Sequence, residues 1–281
     1  MKEKMKRLYG LVLMLLFIVQ VNAGTPVKIL AIGNSFSEDA VEQNLHELAL
    51  ADGIETIIGN MYIPGCPLEL HAQNMKTDAR AYRYRKIDVS GKMVQKDSMQ
   101  LSKALADEDW DYISLQQVSQ LSGLYDSYQP YLHELIAYVR QHVSAKAKIV
   151  FHQTWAYAQN STRGGYENYG KNQEKMYRAI VEATRKVMKA ERIGLLIPSG
   201  TAIQNARMSS YGDTMNRDGF HLNLLYGRYT AACTWFAALF HRRALGNAYA
   251  PEGMTPLQVR VSQLSADAAV RHPYRVTEIG F

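Results

Sequence analysis

Five short β-rich runs, separated by longer stretches of helical periodicity, restrict this chain more than any other feature does. The runs are Val27–Ile32, Ile54–Ile63, Trp110–Leu115, Lys148–His152 and Ile193–Ile197. Between and after them, 38–51, 131–143, 173–189 and 222–239 carry apolar residues at helical spacing. Alternation of this kind builds parallel βαβ units, with helices on both faces of one sheet. In such sheets, ligands meet the carboxyl ends of the strands. Ser35, Gly65, the Gln116–Gln120 segment and His152 each follow a predicted strand, so they converge on that edge.

One segment departs from the rhythm. Residues 80–97 read as a β-hairpin turning near Ser90-Gly91, inserted after the second strand. Period-two spacing puts Arg83 and Arg85 on one face of its first strand and Tyr82 and Tyr84 on the other. Arg83, Arg85 and Lys86 could pair with substrate carboxylates, or simply protect a solvated edge strand.

Residues 1–23 read as a cleavable signal peptide. Lys2, Lys4, Lys6 and Arg7 precede the uncharged run from Leu11 to Val19, and Val21-Asn22-Ala23 supplies small residues for cleavage near Ala23. The apolar run is short for a membrane span, which takes about 20 residues. A secreted or periplasmic protein is expected, with no membrane association after cleavage. The formal charge of +6 falls to about +3 without that segment, too weak an excess to suggest nucleic acid. The remaining 24–281 is expected to form one domain. Two distant cysteines, Cys66 and Cys233, establish no disulfide, and no Cys/His spacing suggests a metal.

Two motifs carry chemistry. Gly33-Asn34-Ser35-Phe36-Ser37 follows the first strand, and Asp218-Gly219-Phe220-His221 precedes the long helical pattern near the end. Taken singly, each has a plain structural explanation. Ser35 or Ser37 could be a helix N-cap, with Glu38 in capping-box spacing to Ser35. Asn216 to Gly219 could be an ordinary turn. Taken together, they offer a serine nucleophile, a histidine base and an aspartate to orient it.

The paired motifs resemble the first and last blocks of the SGNH (GDSL-like) hydrolases. The GNSFS variant, the Ile63-Pro64-Gly65-Cys66 segment and the Leu115-Gln116-Gln117 strand end are most similar to a branch known only as a domain of unknown function, common in gut Bacteroidetes. The resemblance implies a flavodoxin-like three-layer α/β/α sandwich with a central parallel sheet of about five strands. It also implies esterase activity without metal or cofactor, directed in many exported members at glycans. By position, Ser35 would be the nucleophile, His221 the base and Asp218 its orienter. The amides of Ser35 and Gly65 would hold the oxyanion. The family's third donor is an Asn in a Gly-x-Asn-Asp block that this chain lacks; Gln116, Gln117 or Gln120 stands in its place.

His71, His152 and Trp155 are candidate substrate contacts, each with structural packing as the alternative. The expectation is an exported serine esterase acting on a polysaccharide or oligosaccharide ester, with pectin methyl esters favoured by Arg83, Arg85 and Lys86. Its rivals are a carbohydrate acetylesterase, a non-catalytic glycan-binding protein and a lipase-like enzyme.

Overall fold

A computed structural model describes residues 24–280. The expected signal peptide, 1–23, lies outside the described residues. In chain order the elements are β1 (Val27–Gly33), α1 (Ser35–Val41), α2 (Leu45–Ala51), β2 (Thr56–Tyr62), α3 (Leu68–Lys76), β3 (Tyr82–Ile87), β4 (Met93–Met99) and α4 (Leu101–Leu105). They continue with β5 (Tyr112–Leu115), α5 (Tyr131–His142), β6 (Lys148–His152), α6 (Gln173–Ala190), β7 (Leu195–Ile197), α7 (Ser199–Arg207), α8 (Tyr226–Phe240) and α9 (Pro256–Arg271).

The sheet order is β4-β3-β2-β1-β5-β6-β7. The five expected strands are mutually parallel, and their order is that of flavodoxin-like doubly wound sheets. The 80–97 hairpin supplies two further antiparallel strands that extend the sheet beyond β2, giving seven strands rather than about five. Asp88 closes its turn by accepting hydrogen bonds from the Ser90 N–H and hydroxyl and from the Lys92 N–H.

Strand alternation feeds two cores. From β1, Ile29 and Ala31 enter one and Leu30 and Ile32 the other. Helices α1, α2, α7, α8 and α9 cover the first face, and α3, α4 and α5 the second. Helix α6 serves both, with Tyr177 and Ile180 in one core and Ala183 and Val187 in the other.

Two helical expectations change. The single helix expected over 38–51 is broken at Asn44, whose φ of 71° is left-handed; its side chain accepts from the Tyr249 hydroxyl at 2.9 Å. The helix expected from Leu222 begins only at Tyr226, because Leu222 instead forms an antiparallel bridge with Asn216. The C-terminal stretch, opaque in sequence, forms α9. Its start carries a capping box between Thr255 and Gln258, and it packs against α7 and α8.

Register aligns the site. Gly33 pairs beside Tyr62, Ile32 beside Leu115, and Leu115 beside Phe151. The chain therefore leaves β1, β2, β5 and β6 at one level, on either side of the point where strand order reverses. The loop after β6 is buried from Gln153 to Ala158. At the start of α7, Gly200 meets it so closely that an added Cβ would lie 2.1 Å from the Thr154 carbonyl oxygen. Gly200→Ala should therefore lower stability by about 1–3 kcal/mol, seen as a lower urea midpoint at unchanged slope; an unchanged midpoint contradicts this close approach.

Candidate active site

Ser35 opens α1, directly after β1. The cap of that helix is Asn34, not a serine: its Oδ1 accepts from the Phe36 N–H at 3.0 Å. Ser37 Oγ lies 2.7 Å from the Asn34 carbonyl and 2.9 Å from Asn60 Oδ1. Gly33 makes room for that hydroxyl, since a Cβ there would sit 2.6 Å from it. With the cap supplied by Asn34, the partly exposed Ser35 hydroxyl has no hydrogen-bond partner among the described residues. Its own N–H, at the first helical position, has no intrahelical acceptor.

The Asp218–His221 motif reaches the same sheet edge. His221 Nδ1 donates to Asp218 Oδ2 at 2.7 Å, while Asp218 Oδ1 accepts from the His221 and Phe220 N–H groups at 2.8 and 3.2 Å. Partial burial pushes the Asp218 pKa up, but these three hydrogen bonds outweigh it and hold the carboxyl below its ordinary value. The carboxylate thus fixes the tautomer that leaves Nε2 free to accept a proton. Gly219, between the pair, has a φ of 85°, and a Cβ on it would lie 3.0 Å from Ser161.

Two contacts join this loop to the Ser35 helix. Phe36 stacks on Trp155 at 4.1 Å between ring centroids and stands 6.2 Å from the His221 ring. Trp155 Nε1 donates to the Phe220 carbonyl at 2.8 Å. The second contact is Asp39, one turn after Ser35 and fully buried. It accepts from the Leu222 N–H at 2.8 Å, from Arg217 Nη1 at 3.1 and 3.3 Å, and from Arg228 Nε and Nη2 at 2.8 and 2.7 Å.

Gly65 has a φ of 60° and projects into open space. Its N–H has no partner among the described residues, and the loop is tied down next door, where Asn34 Nδ2 donates to the Cys66 carbonyl at 3.1 Å. Cys66 and Cys233 are free and buried. Burial pushes the Cys66 thiol up to about 12, which removes it as a nucleophile near neutrality.

Several expected contacts are structural instead. His152 is fully buried, with Nδ1 donating to Gln116 Oε1 at 2.8 Å and Nε2 accepting from the Ser199 hydroxyl at 3.0 Å. Burial lowers its pKa to about 3, so it is neutral. Gln116 Nε2 then donates to Asn34 Oδ1 at 3.0 Å, making Gln116 the prop of the Ser35 cap. Gln117 is consumed elsewhere: its Oε1 accepts from the Leu68 and Val118 N–H groups, and its Nε2 donates to Ser127. Of the three glutamines, only Gln120 is half-buried with its side-chain N–H groups unclaimed among the described residues.

His71 is buried against the Tyr82 hydroxyl at 3.0 Å, with its pKa lowered to about 4 by burial. Trp155 is buried under Phe36. None of His71, His152 and Trp155 presents a surface to substrate.

The arginine pair of the hairpin divides. Arg85 is bound by Glu42 at 2.9 and 3.0 Å and Glu38 at 3.4 Å, over the Tyr62 ring. Lys86 is likewise held by Asp107 and Glu108. Neither can act as the free cation expected from the sequence. Arg83 is exposed, makes no ion pair among the described residues and lies 6.0 Å from the Tyr62 ring. A second such arginine was invisible in the sequence: Arg163, in the loop after β6, lies 4.6 Å over the Phe220 ring. Phe220 in turn is 3.9 Å from His221. Asp39 did leave a faint signal, an acid four residues after Ser35 within an apolar helical pattern.

The profile of a family described as "Domain of unknown function (DUF4886)" matches residues 28–271. A crystal structure of a DUF4886 family protein from Bacteroides uniformis shares 55% identity, covering 91% of this chain and 98% of that one, at a TM-score of 0.90. A protein from Slackia heliotrinireducens, described as a candidate SGNH hydrolase, aligns over 76% of this chain and 100% of its own with 18% identity and a TM-score of 0.50. An alpha/beta hydrolase enzyme from the Lake Arreo metagenome gives 14% identity, 77% and 96% coverage, and a TM-score of 0.51. A search of the curated proteins found no match.

Replacing Asp39 by Ala leaves two arginines facing an empty, buried acceptor position. Asp39→Ala should cost about 3–5 kcal/mol, measured by denaturant unfolding; a loss below about 1 kcal/mol would show that Asp39 does not hold the His221 loop.

Proposed function

The chain belongs to the DUF4886 family and has the fold of the SGNH hydrolases; from that premise we propose that it is an exported serine ester hydrolase acting on an acidic polysaccharide, with pectin methyl esters as the favoured substrate. The observation that carries the reading is the division of labour at β1: Asn34 caps the helix and leaves Ser35 unengaged, while the adjoining Phe36 stands 6.2 Å from the ring of His221, which Asp218 orients.

Ser35 Oγ attacks the ester carbonyl and His221 Nε2 takes its proton. The N–H groups of Ser35 and Gly65 hold the oxyanion, and Gln120 is the glutamine free to add a donor. Collapse of the tetrahedral intermediate expels the alcohol, which leaves with the proton from His221. Water then enters through the same base and releases the acid from Ser35. For a methyl-esterified uronate, the sugar is the acyl group and methanol the leaving group. No step requires a metal or cofactor. The mechanism has the Ser35 hydroxyl and His221 Nε2 form their hydrogen bond when substrate binds, as catalytic bonds absent from a free enzyme commonly do.

The substrate class rests on Arg83 and Arg163. Arg83 lies beside Tyr62, the last residue of the strand that leads to Gly65, and Arg163 lies over the Phe220 ring that packs against His221. The methyl ester consumed is neutral, but free uronate neighbours along the chain are carboxylates, which guanidinium groups bind in bidentate fashion.

Ser35→Ala should abolish aryl acetate hydrolysis and labelling by a fluorophosphonate while the fold is retained; an unchanged rate eliminates the mechanism. Assaying methanol and acetate release from one pectin sample should show methanol, and acetate alone would reassign the enzyme as an acetylesterase. The Arg83→Ala/Arg163→Ala double variant should raise KM for partly methylated pectin about tenfold, from two exposed ion pairs, with aryl acetate turnover little changed. Equal effects on both substrates would make these arginines merely structural.

A further inference from the structure

At the opposite end of the sheet the surface charge is strongly segregated. Three adjoining clefts lie around the amino ends of β6 and β7 and the end of α8. The largest, about 650 Å³, is lined by Arg185 and Lys189. The next holds Arg140, Lys148 and Arg192. The third holds Arg242, Arg243 and Arg271. His241 lines all three, so they border one another, and together they make a basic trough of three adjoining clefts.

Eight arginines or lysines thus line these clefts with one acid, Asp267, while Glu191 shares a neighbouring cleft with Arg140 and Arg192. The chain beyond residue 23 carries a net charge of only about +3, so the rest of that surface is net negative. All eight cations are exposed. Ion pairing leaves most of them available: Arg242 pairs with Asp52 at 3.6 Å and Arg243 with Asp267 at 3.7 Å, both long and exposed on the arginine side. Arg185 lies over the Tyr274 ring and Lys148 over the Tyr112 ring. Arg140, Lys189 and Arg192 make no ion pair among the described residues.

Clefts lined by one sign of charge focus the field and concentrate ligands of the opposite sign. The trough is separate from the Ser35 site. The fifteen-residue helix α8 starts near His221 and ends at the trough, a length of about 22 Å at 1.5 Å per residue. We propose that the trough is a second binding site for a polyanionic glycan, holding a carboxylated polysaccharide while the Ser35 edge works on it. The choice of glycan rests on the reading above. Against a lipid surface stands the absence of apolar anchors: none of the exposed large apolar side chains, such as Leu50, Met93, Met208 or Leu224, lines the clefts.

The test uses Ser35→Ala protein, so that binding is read without turnover. In affinity gels, polygalacturonate should retard the protein and neutral arabinoxylan should not, and added salt should weaken the retardation. Arg140→Gln/Arg185→Gln/Lys189→Gln should weaken polygalacturonate binding about tenfold, the sum of three exposed ion pairs. The same triple substitution with Ser35 intact should leave aryl acetate hydrolysis unchanged. Retardation that survives the triple substitution overturns the proposal, as does equal retardation by arabinoxylan. Capture by phosphatidylglycerol vesicles without polygalacturonate binding also overturns it. These readouts stand whatever Ser35→Ala does to hydrolysis, so failure of the trough and failure of the serine mechanism are told apart.

Discussion

A single buried carboxylate, Asp39, makes the two motifs one site. It sits one turn below Ser35 and receives a backbone N–H from Leu222 and the guanidinium groups of Arg217 and Arg228. A charge with no exposure to water is tolerable only when its lone pairs are filled, and the segments that fill them flank His221. The position of the histidine is therefore coupled to satisfying Asp39. The Phe36–Trp155 stack and the Trp155 bond to the Phe220 carbonyl add an apolar constraint to the same loop. Electrostatic and packing demands point to one loop geometry, as expected of a site whose parts must be held closely.

A second buried line runs from Ser199 through His152 and Gln116 to Asn34. Each donor in it meets one acceptor, and His152 stays neutral because burial depresses its pKa to about 3. The line ends on the residue that caps α1 and, through Cys66, steadies the Gly65 loop. Polar side chains on the carboxyl edge of the sheet thus divide into two sets. The buried ones support one another, while Ser35, the side-chain N–H groups of Gln120 and the guanidinium groups of Arg83 and Arg163, none with an acidic partner among the described residues, are partly or fully exposed.

How much was legible in the sequence depends on how local the cause was. The five parallel strands follow from short apolar runs, and Lys148–His152 agrees to the residue. The hairpin was visible because Asp88 to Lys92 closes its own turn. The break at Asn44 was not, since its cause includes a tyrosine about 200 residues away. Cap and turn were both reasonable local explanations of the two motifs. Asn34 took the capping role, and Asn216–Leu222 does form a tight loop; both facts free the catalytic candidates rather than displace them.

By itself the sequence determined the doubly wound topology, the strand ends on which polar residues converge, and the spacing that lets Asp218 hold His221. These are properties of neighbours in the chain, where periodicity and short loops leave little freedom. Only the tertiary structure decided which polar side chains are free. Arg85 is neutralised by Glu42, 43 residues earlier, Gln117 is spent on Leu68, 49 residues earlier, and Arg163, over the Phe220 ring, has no acidic partner among the described residues. A charge or amide is available to substrate only if no partner within the fold has claimed it, and those partners are fixed by packing between elements far apart in the chain.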